Sequence, residues 1–412
     1  MTPTEQSAPL STYFRKGFGL KSDVQDTLSA DYTGQLVDLL RAREFTLTAG
    51  PVTVRLAREF GFCYGVERAV EYAYQTRAKF PDRRIFLAGE IIHNPHVNAK
   101  LRDMGIVFLA PGADGFDYTS VRPSDVVILP AFGVTIRDFE TLRAIGCVMV
   151  DTTCGSVLNV WKRVESYARD GFTSLIHGKH YHEETRATAS QVTRYAGGTW
   201  LVVRNREQAD DVCAYIEGRG LTRDAFLARY SAQASPHFDP DVHLARIGVA
   251  NQTTMLARES LAIGELVGVA MARAHGDAYR ASHFRTFDTI CSATQERQDA
   301  VNELLTEPLD VMLVIGGYNS SNTISLAALC AERVTTFHVA DAGCIDVARG
   351  AIRHLVPGGT EEIETVGWLV PGGEAAAVRV GLTAGASTPN NKIGEAVARV
   401  FATRGVDPAT LR

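Results

Sequence analysis

The chain has 412 residues, a formal net charge of -5 and a sequence pI near 6.1, so no overall basic field argues for nucleic acid or an anionic membrane as its partner. No stretch approaches the ~20 uninterrupted apolar residues a membrane helix needs, and the opening MTPTEQSAPLSTYFRKGFG lacks the apolar core of a signal peptide, so a soluble, cytoplasmic protein with no membrane partner is expected. The seven cysteines form an odd, scattered set, a poor disulfide framework that raises metal binding or redox chemistry instead.

The length predicts two to four domains. Residues 1–52 read as an N-terminal extension of mixed charge that either packs on the body or stays mobile. From residue 53 onward one unit occurs three times. Each copy has an apolar or β-branched run, a few small or polar residues, one Cys and an amphipathic helical pattern. The copies are VTVRLAREFGFCYGVERAVEYAY around Cys63, CVMVDTTCGSVLNVWKRVESYA around Cys154 and FRTFDTICSATQERQDAVNELL around Cys291. A second apolar strand ending in a polar loop follows each helix, in RRIFLAGEIIHNP, FTSLIHGKHYHEE and DVMLVIGGYNSSN. A third strand and loop closes each unit over 126–135, 244–254 and 378–388.

The boundaries that follow are 53–150 for the repeat with Cys63, 151–285 for the repeat with Cys154 and 286–390 for the repeat with Cys291. Residues 391–412 read as a C-terminal helix or tail. The stretch 205–243 reads as a surface insertion in the middle repeat. Alternating strands and helices predict parallel α/β sheets, in which ligands bind beyond the carboxyl ends of the strands, so all nine loops can converge on one centre.

A lone buried Cys is usually a small hydrophobe, which is the reading for Cys147, Cys213, Cys330 and Cys344. Cys63, Cys154 and Cys291 occupy matching positions at predicted helix starts, which favour the thiolate that metal ligation requires. Three thiolates without an equivalent fourth suit a four-iron four-sulfur cluster with one iron left open. A catalytic zinc on three cysteines stays possible from spacing alone.

The polar loops keep step with the cysteines. His93 lies 30 residues after Cys63, His182 lies 28 after Cys154, and Asn322 lies 31 after Cys291. With Ser320, Ser321 and Ser387 they form a donor set suited to an anion such as a diphosphate. Glu184 follows His182 by two positions, so in an extended loop both side chains share a side and the carboxyl can deliver protons. Its neighbour Glu183 reads as a solvated acid. Thr253 and Thr254 can hold that carboxyl or a substrate hydroxyl, although turn chemistry explains Thr at a strand end equally well.

The motifs GFCYGVERAV, GEIIHNPHV, VDTTCGSV, HYHEETRATASQ, NQTT, DTICSATQERQ, NSSNT and TAGAST together resemble the 4-hydroxy-3-methylbut-2-enyl diphosphate reductase family over residues 53 to 390. The resemblance implies three pseudo-equivalent α/β domains with small parallel sheets around a central four-iron four-sulfur cluster held by Cys63, Cys154 and Cys291. It implies that His93, His182, Ser320, Asn322 and Ser387, with Ser321 adjacent, hold the diphosphate of an allylic substrate. The substrate hydroxyl would lie near Thr253, with Glu184 as proton donor. Reductive loss of that hydroxyl would give isopentenyl or dimethylallyl diphosphate, with electrons from a ferredoxin or flavodoxin.

Phe132 stands in PAFGVT where many bacterial members carry a diphosphate-binding His, so one donor is lost. The Phe, the FRKGFG segment and the long middle unit resemble the plant and cyanobacterial branch. Two rival readings remain at the level of sequence. One is another three-cysteine cluster dehydratase such as quinolinate synthase, which the HEE and NSSN motifs disfavour. The other is a non-catalytic iron-sulfur sensor or electron carrier, which would leave Glu184 and the anion donors without a task.

Overall fold

The computed structural model describes residues 12–112, 115–369 and 376–411; the first eleven residues of the N-terminal extension lie outside them. The apolar runs picked out by sequence form strands buried along their whole length, as in Val126–Leu129, Thr173–His177 and Val311–Ile315. Continuous burial of this kind marks parallel strands covered on both faces.

Three sheets result, and the same parallel four-strand order recurs in each, the third adding antiparallel strands at its edges. The first runs Val148–Asp151, Val126–Leu129, Ile85–Leu87, Ile106–Phe108. In the second the order is Phe284–Thr286, Ile247–Asn251, Thr173–His177, Trp200–Val203. The third repeats it as Val52–Leu56, Val378–Ala384, Val311–Ile315, Thr336–Val339. Each sheet therefore contains the strand leading into the next cysteine. The start of the first repeat is displaced accordingly: Val52–Leu56 pairs in parallel with Val378–Ala384, Val54 opposite Val380, and so belongs to the sheet of the third repeat. Sequence periodicity groups residues by their order along the chain, whereas strand pairing groups them by space.

The N-terminal extension is woven into the body over its described part. Tyr13–Phe14 adds an edge strand to the first sheet beside Val148–Asp151, and Thr46–Ala49 pairs antiparallel with Val52–Leu56 in the third. Residues 205–243, expected as a surface insertion, instead cover one face of the second sheet. Ala209, Val212, Cys213, Phe226 and Tyr230 pack there in one core with Leu175, Ile247, Val249 and Val267. Burying a Phe- or Val-sized side chain contributes roughly 1.5–3 kcal/mol, so this segment is part of what holds the sheet. The helix Asn390–Thr403 likewise buries Ile393, Val397, Val400 and Phe401 against the third sheet. Among the described residues no helix is long and apolar enough to cross a membrane.

Candidate active site

Each of the three matching cysteines is the N-cap of a helix: Cys63 of Tyr64–Lys79, Cys154 of Gly155–Arg169 and Cys291 of Ser292–Leu304. A single backbone device sets all three turns. The amide of each Cys donates to a carbonyl just past a sheet's third strand, Cys63 to Ala386 at 3.3 Å, Cys154 to Ala131 at 3.0 Å and Cys291 to Thr253 at 3.4 Å. Arginines cross-link the turns further. Arg68 donates to the Thr153 carbonyl before Cys154, and Arg297 donates to the Gly61 carbonyl before Cys63 at 2.7 Å.

The three thiols line one cavity together with His93, Phe132, His182, Glu184, Thr253, Thr254, Ser320, Ser321, Asn322 and Ser387. Every residue singled out from sequence is thus brought to one place. A methyl group at Gly65 would lie 2.6 Å from Cys154 Sγ and 3.9 Å from Cys63 Sγ, so glycine leaves open a space bounded by two of the sulfurs. Burial raises the thiol pKa of Cys63, and that of Cys291 to about 11. As free groups these thiols stay protonated; a soft metal centre would release their protons and take up the charge. The other four cysteines are buried in separate hydrophobic clusters, as their lack of repeat partners predicted.

Opposite the thiols, the polar loops open a second set of helices. His182 is the N-cap of Glu183–Gln191 and Ser320 of Ser321–Ala331, and His93 precedes Pro95–Asp103 by two residues. Helix starts present unpaired N–H groups and a positive dipole end, which favour anions. Asn322 Oδ1 accepts from the Ala386 amide at 2.8 Å, which aims Nδ2 elsewhere, and that nitrogen is buried with no partner. A buried donor left free is costly unless a ligand accepts from it. Ser387 ties the loops together by donating to the His93 carbonyl at 3.2 Å.

The two histidines differ in charge. Burial disfavours a proton on His93, yet the carboxylates of Glu183 and Glu90 outweigh it and raise the pKa to about 9. His182 is pushed well down, by burial first and the His93 charge second. Its Nδ1 accepts from the Glu184 amide at 3.1 Å, so the proton of the neutral ring sits on Nε2. His182 Nε2 lies 3.2 Å from His93 Nε2. The two ring edges therefore meet at the cavity wall, where the charged His93 favours an anionic oxygen. Glu183, read from sequence as a solvated acid, half serves this need: its carboxylate lies 3.5 Å from His93 Nε2 while its side chain stays 47% exposed. Together His93, His182 and Glu183 place possible ligand atoms within 4.8 Å of one another, a spacing their mutual ion pairing also explains. Phe132 stacks on His93 with ring centroids 4.4 Å apart and meets His182 edge-on, fixing the rings while offering no polar atom.

Glu184 is 2% exposed. Its Oε1 accepts from the Thr253 amide at 2.6 Å and Oε2 from the Thr253 hydroxyl at 3.1 Å. Burial outweighs these bonds and raises its pKa to about 7, so the group holds a proton it can release near neutrality. The loop is not extended as sequence spacing suggested. His182 and Glu184 face one cavity because the histidine caps the helix in which the glutamate is the second residue. Sequence reading passed over Lys179 and Gln252, which flank the motif residues and bond to Ser321. Both stand inside or beside quoted motifs, but neither has a counterpart in the other repeats.

A family model described as LytB protein matches residues 54–401. The chain is 50% identical to the 4-hydroxy-3-methylbut-2-enyl diphosphate reductase of Gloeobacter violaceus over 399 residues, 96% of this chain and 93% of the relative. To the reductase of that name from Thermosynechococcus vestitus it is 46% identical, over 96% and 95%. Among solved structures, one of (E)-4-hydroxy-3-methyl-but-2-enyl diphosphate reductase matches with TM-score 0.51 at 25% identity, over 84% of this chain and 98% of that one. A Plasmodium falciparum structure of E-1-hydroxy-2-methyl-but-2-enyl-4-diphosphate reductase matches with TM-score 0.60 at 22% identity, over 84% and 87%, a likeness of fold.

Proposed function

This chain belongs to the LytB protein family, and from that premise we propose that it performs the reductive dehydroxylation of 4-hydroxy-3-methylbut-2-enyl diphosphate to isopentenyl and dimethylallyl diphosphate. The observation that carries the proposal is the single cavity joining three thiols, a protonatable buried carboxyl and a ring of anion donors. Cys63, Cys154 and Cys291 would hold a four-iron four-sulfur cluster, and the open space at Gly65 between two of their sulfurs fits such a group. When bound, the cluster supplies electrons one at a time and an open iron able to act as a Lewis acid toward the hydroxyl.

The chain's own groups do the rest. His93, His182, Ser320, Asn322 and Ser387 grip the diphosphate, with the free Nδ2 of Asn322 as a ready donor and the charged His93 ring beside it. Ser321 adds a hydroxyl at the first turn of the helix Ser321–Ala331. Thr253 holds Glu184 in place through two hydrogen bonds, and Glu184 delivers the proton with which the hydroxyl leaves as water. Thr254, bonded to Gln252 at 3.0 Å, lines the wall beside them. The electron donor would be a small one-electron carrier such as a ferredoxin or flavodoxin.

Protein purified without oxygen and given a strong one-electron reductant is expected to contain four irons per chain and to consume the hydroxylated diphosphate. A Mössbauer spectrum should show one iron changing on substrate addition. Cluster without turnover would mark a sensor or carrier, and a lone zinc would end the proposal. Replacing Gly65 tests the cradle: Gly65→Ala should drive a methyl into Cys154 Sγ and lower iron content several-fold. Crowding of this kind typically costs about 1–3 kcal/mol, so the fold should survive and circular dichroism should be unchanged.

A further inference from the structure

Lys179 is a half-buried ammonium whose Nζ lies 3.0 Å from Ser321 Oγ. Among the described residues no carboxylate pairs with it, and the other charge that perturbs it is that of Arg204, a cation. Burial and Arg204 together lower its pKa from the usual lysine value. A desolvated cation held without a counter-charge is unfavourable in an empty protein, and an anionic ligand relieves it.

Gln252 shows where that ligand would lie. Its Oε1 accepts from the Lys179 amide at 3.1 Å and the Thr185 hydroxyl at 3.2 Å, which fixes the amide so that Nε2 points out as a donor. Nε2 lies 3.2 Å from the same Ser321 Oγ. Ser321 thus accepts from two donors, an ammonium and an amide. Both lone pairs of the hydroxyl are spoken for, and its one remaining capacity is to donate. Ser321 lines the cavity, so that hydrogen is available to an acceptor there.

We propose that Lys179 and Gln252 are positioning residues for the diphosphate end of the substrate: together they make Ser321 an obligate donor into the cavity, and Lys179 supplies a cation behind it. This rests on the substrate class proposed above. Phe132 offers only a ring beside His93, so the cations at the donor set are His93 and, behind Ser321, Lys179.

The test uses cluster-loaded protein under anoxic conditions, with inorganic diphosphate as the probe in calorimetry and with steady-state kinetics alongside. Lys179→Met is expected to weaken diphosphate binding about tenfold or more, the scale of one charge-assisted hydrogen bond, and to raise KM to match while kcat changes less than about threefold. Lys179→Arg should restore most of the affinity. Because Lys179 acts largely through Ser321, the double variant Lys179→Met, Ser321→Ala should bind better than the product of the two single losses predicts. Affinity within about twofold of the parent in Lys179→Met, or strictly multiplicative losses in the double variant, would overturn the inference. If the parent protein itself neither binds diphosphate nor turns over, the reading of the substrate fails instead.

Discussion

Glu184→Gln is expected to lower turnover by about a hundredfold or more while iron content and substrate affinity stay near those of the parent. Gln keeps the shape and can still accept from the Thr253 amide, but it carries no acidic proton. The parent's pH profile should agree. With the Glu184 pKa raised to about 7 by burial, the protonated form declines as the pH rises through 7, and turnover should fall on that limb. The same shift has a stability sign. A carboxyl whose folded pKa stands above its ordinary 4.5 stabilises the fold below the ordinary value and loses that contribution as the pH rises through about 7. The size is on the order of 3 kcal/mol, so at pH 8 the Gln variant should melt higher than the parent. A variant that is inactive yet more stable indicates a residue kept for chemistry. Unchanged turnover would remove Glu184 from the reaction, and parent melting insensitive to pH between 5 and 8 would argue against its buried proton.

Ser substitution at Cys63, Cys154 or Cys291 should abolish turnover and leave at most a small fraction of the iron, whichever of the three is changed. Each sits on the same amide-to-carbonyl turn, so none has a spare role to fall back on. Cys330→Ala offers the contrast. That thiol is fully buried among Val301, Met312 and Leu326, and its loss should cost core packing while full iron loading and turnover persist. Iron and sulfide analysis of the four variants decides the matter. Equal iron in Cys63→Ser and Cys330→Ala would detach the cysteines from any metal role.

The repeat was legible because three strand-to-helix turns had to be built from similar residues to point three thiols inward. The positions of Cys63, Cys154 and Cys291, and the spacing of His93, His182 and Asn322, follow from that shared geometry. What sequence did not disclose was spatial partnership. Periodicity could not tell that Val52–Leu56 would pair with the last strand of the third unit, because register is set by neighbours hundreds of positions away. It read 205–243 as superficial because its polar, proline-containing stretch drew attention away from Val212, Phe226 and Tyr230, which face inward at helical spacing. The Glu183 to His93 pairing and the Lys179 contact with Ser321 likewise join loops from different units, and such contacts leave no local pattern.

The clasp between Val52–Leu56 and Val378–Ala384 bears on how the molecule is born. A ribosome releases the amino end long before it makes the strand that receives it. The turn carrying Cys63 cannot lock until Ala386 has emerged to accept its amide. A nascent chain can therefore fold its middle sheet early, but Cys63 stays unanchored until the strand Val378–Ala384 and the turn after it have been made. If the three thiols hold a cluster as proposed, its insertion is expected to wait until the first and last strands of the third sheet have met.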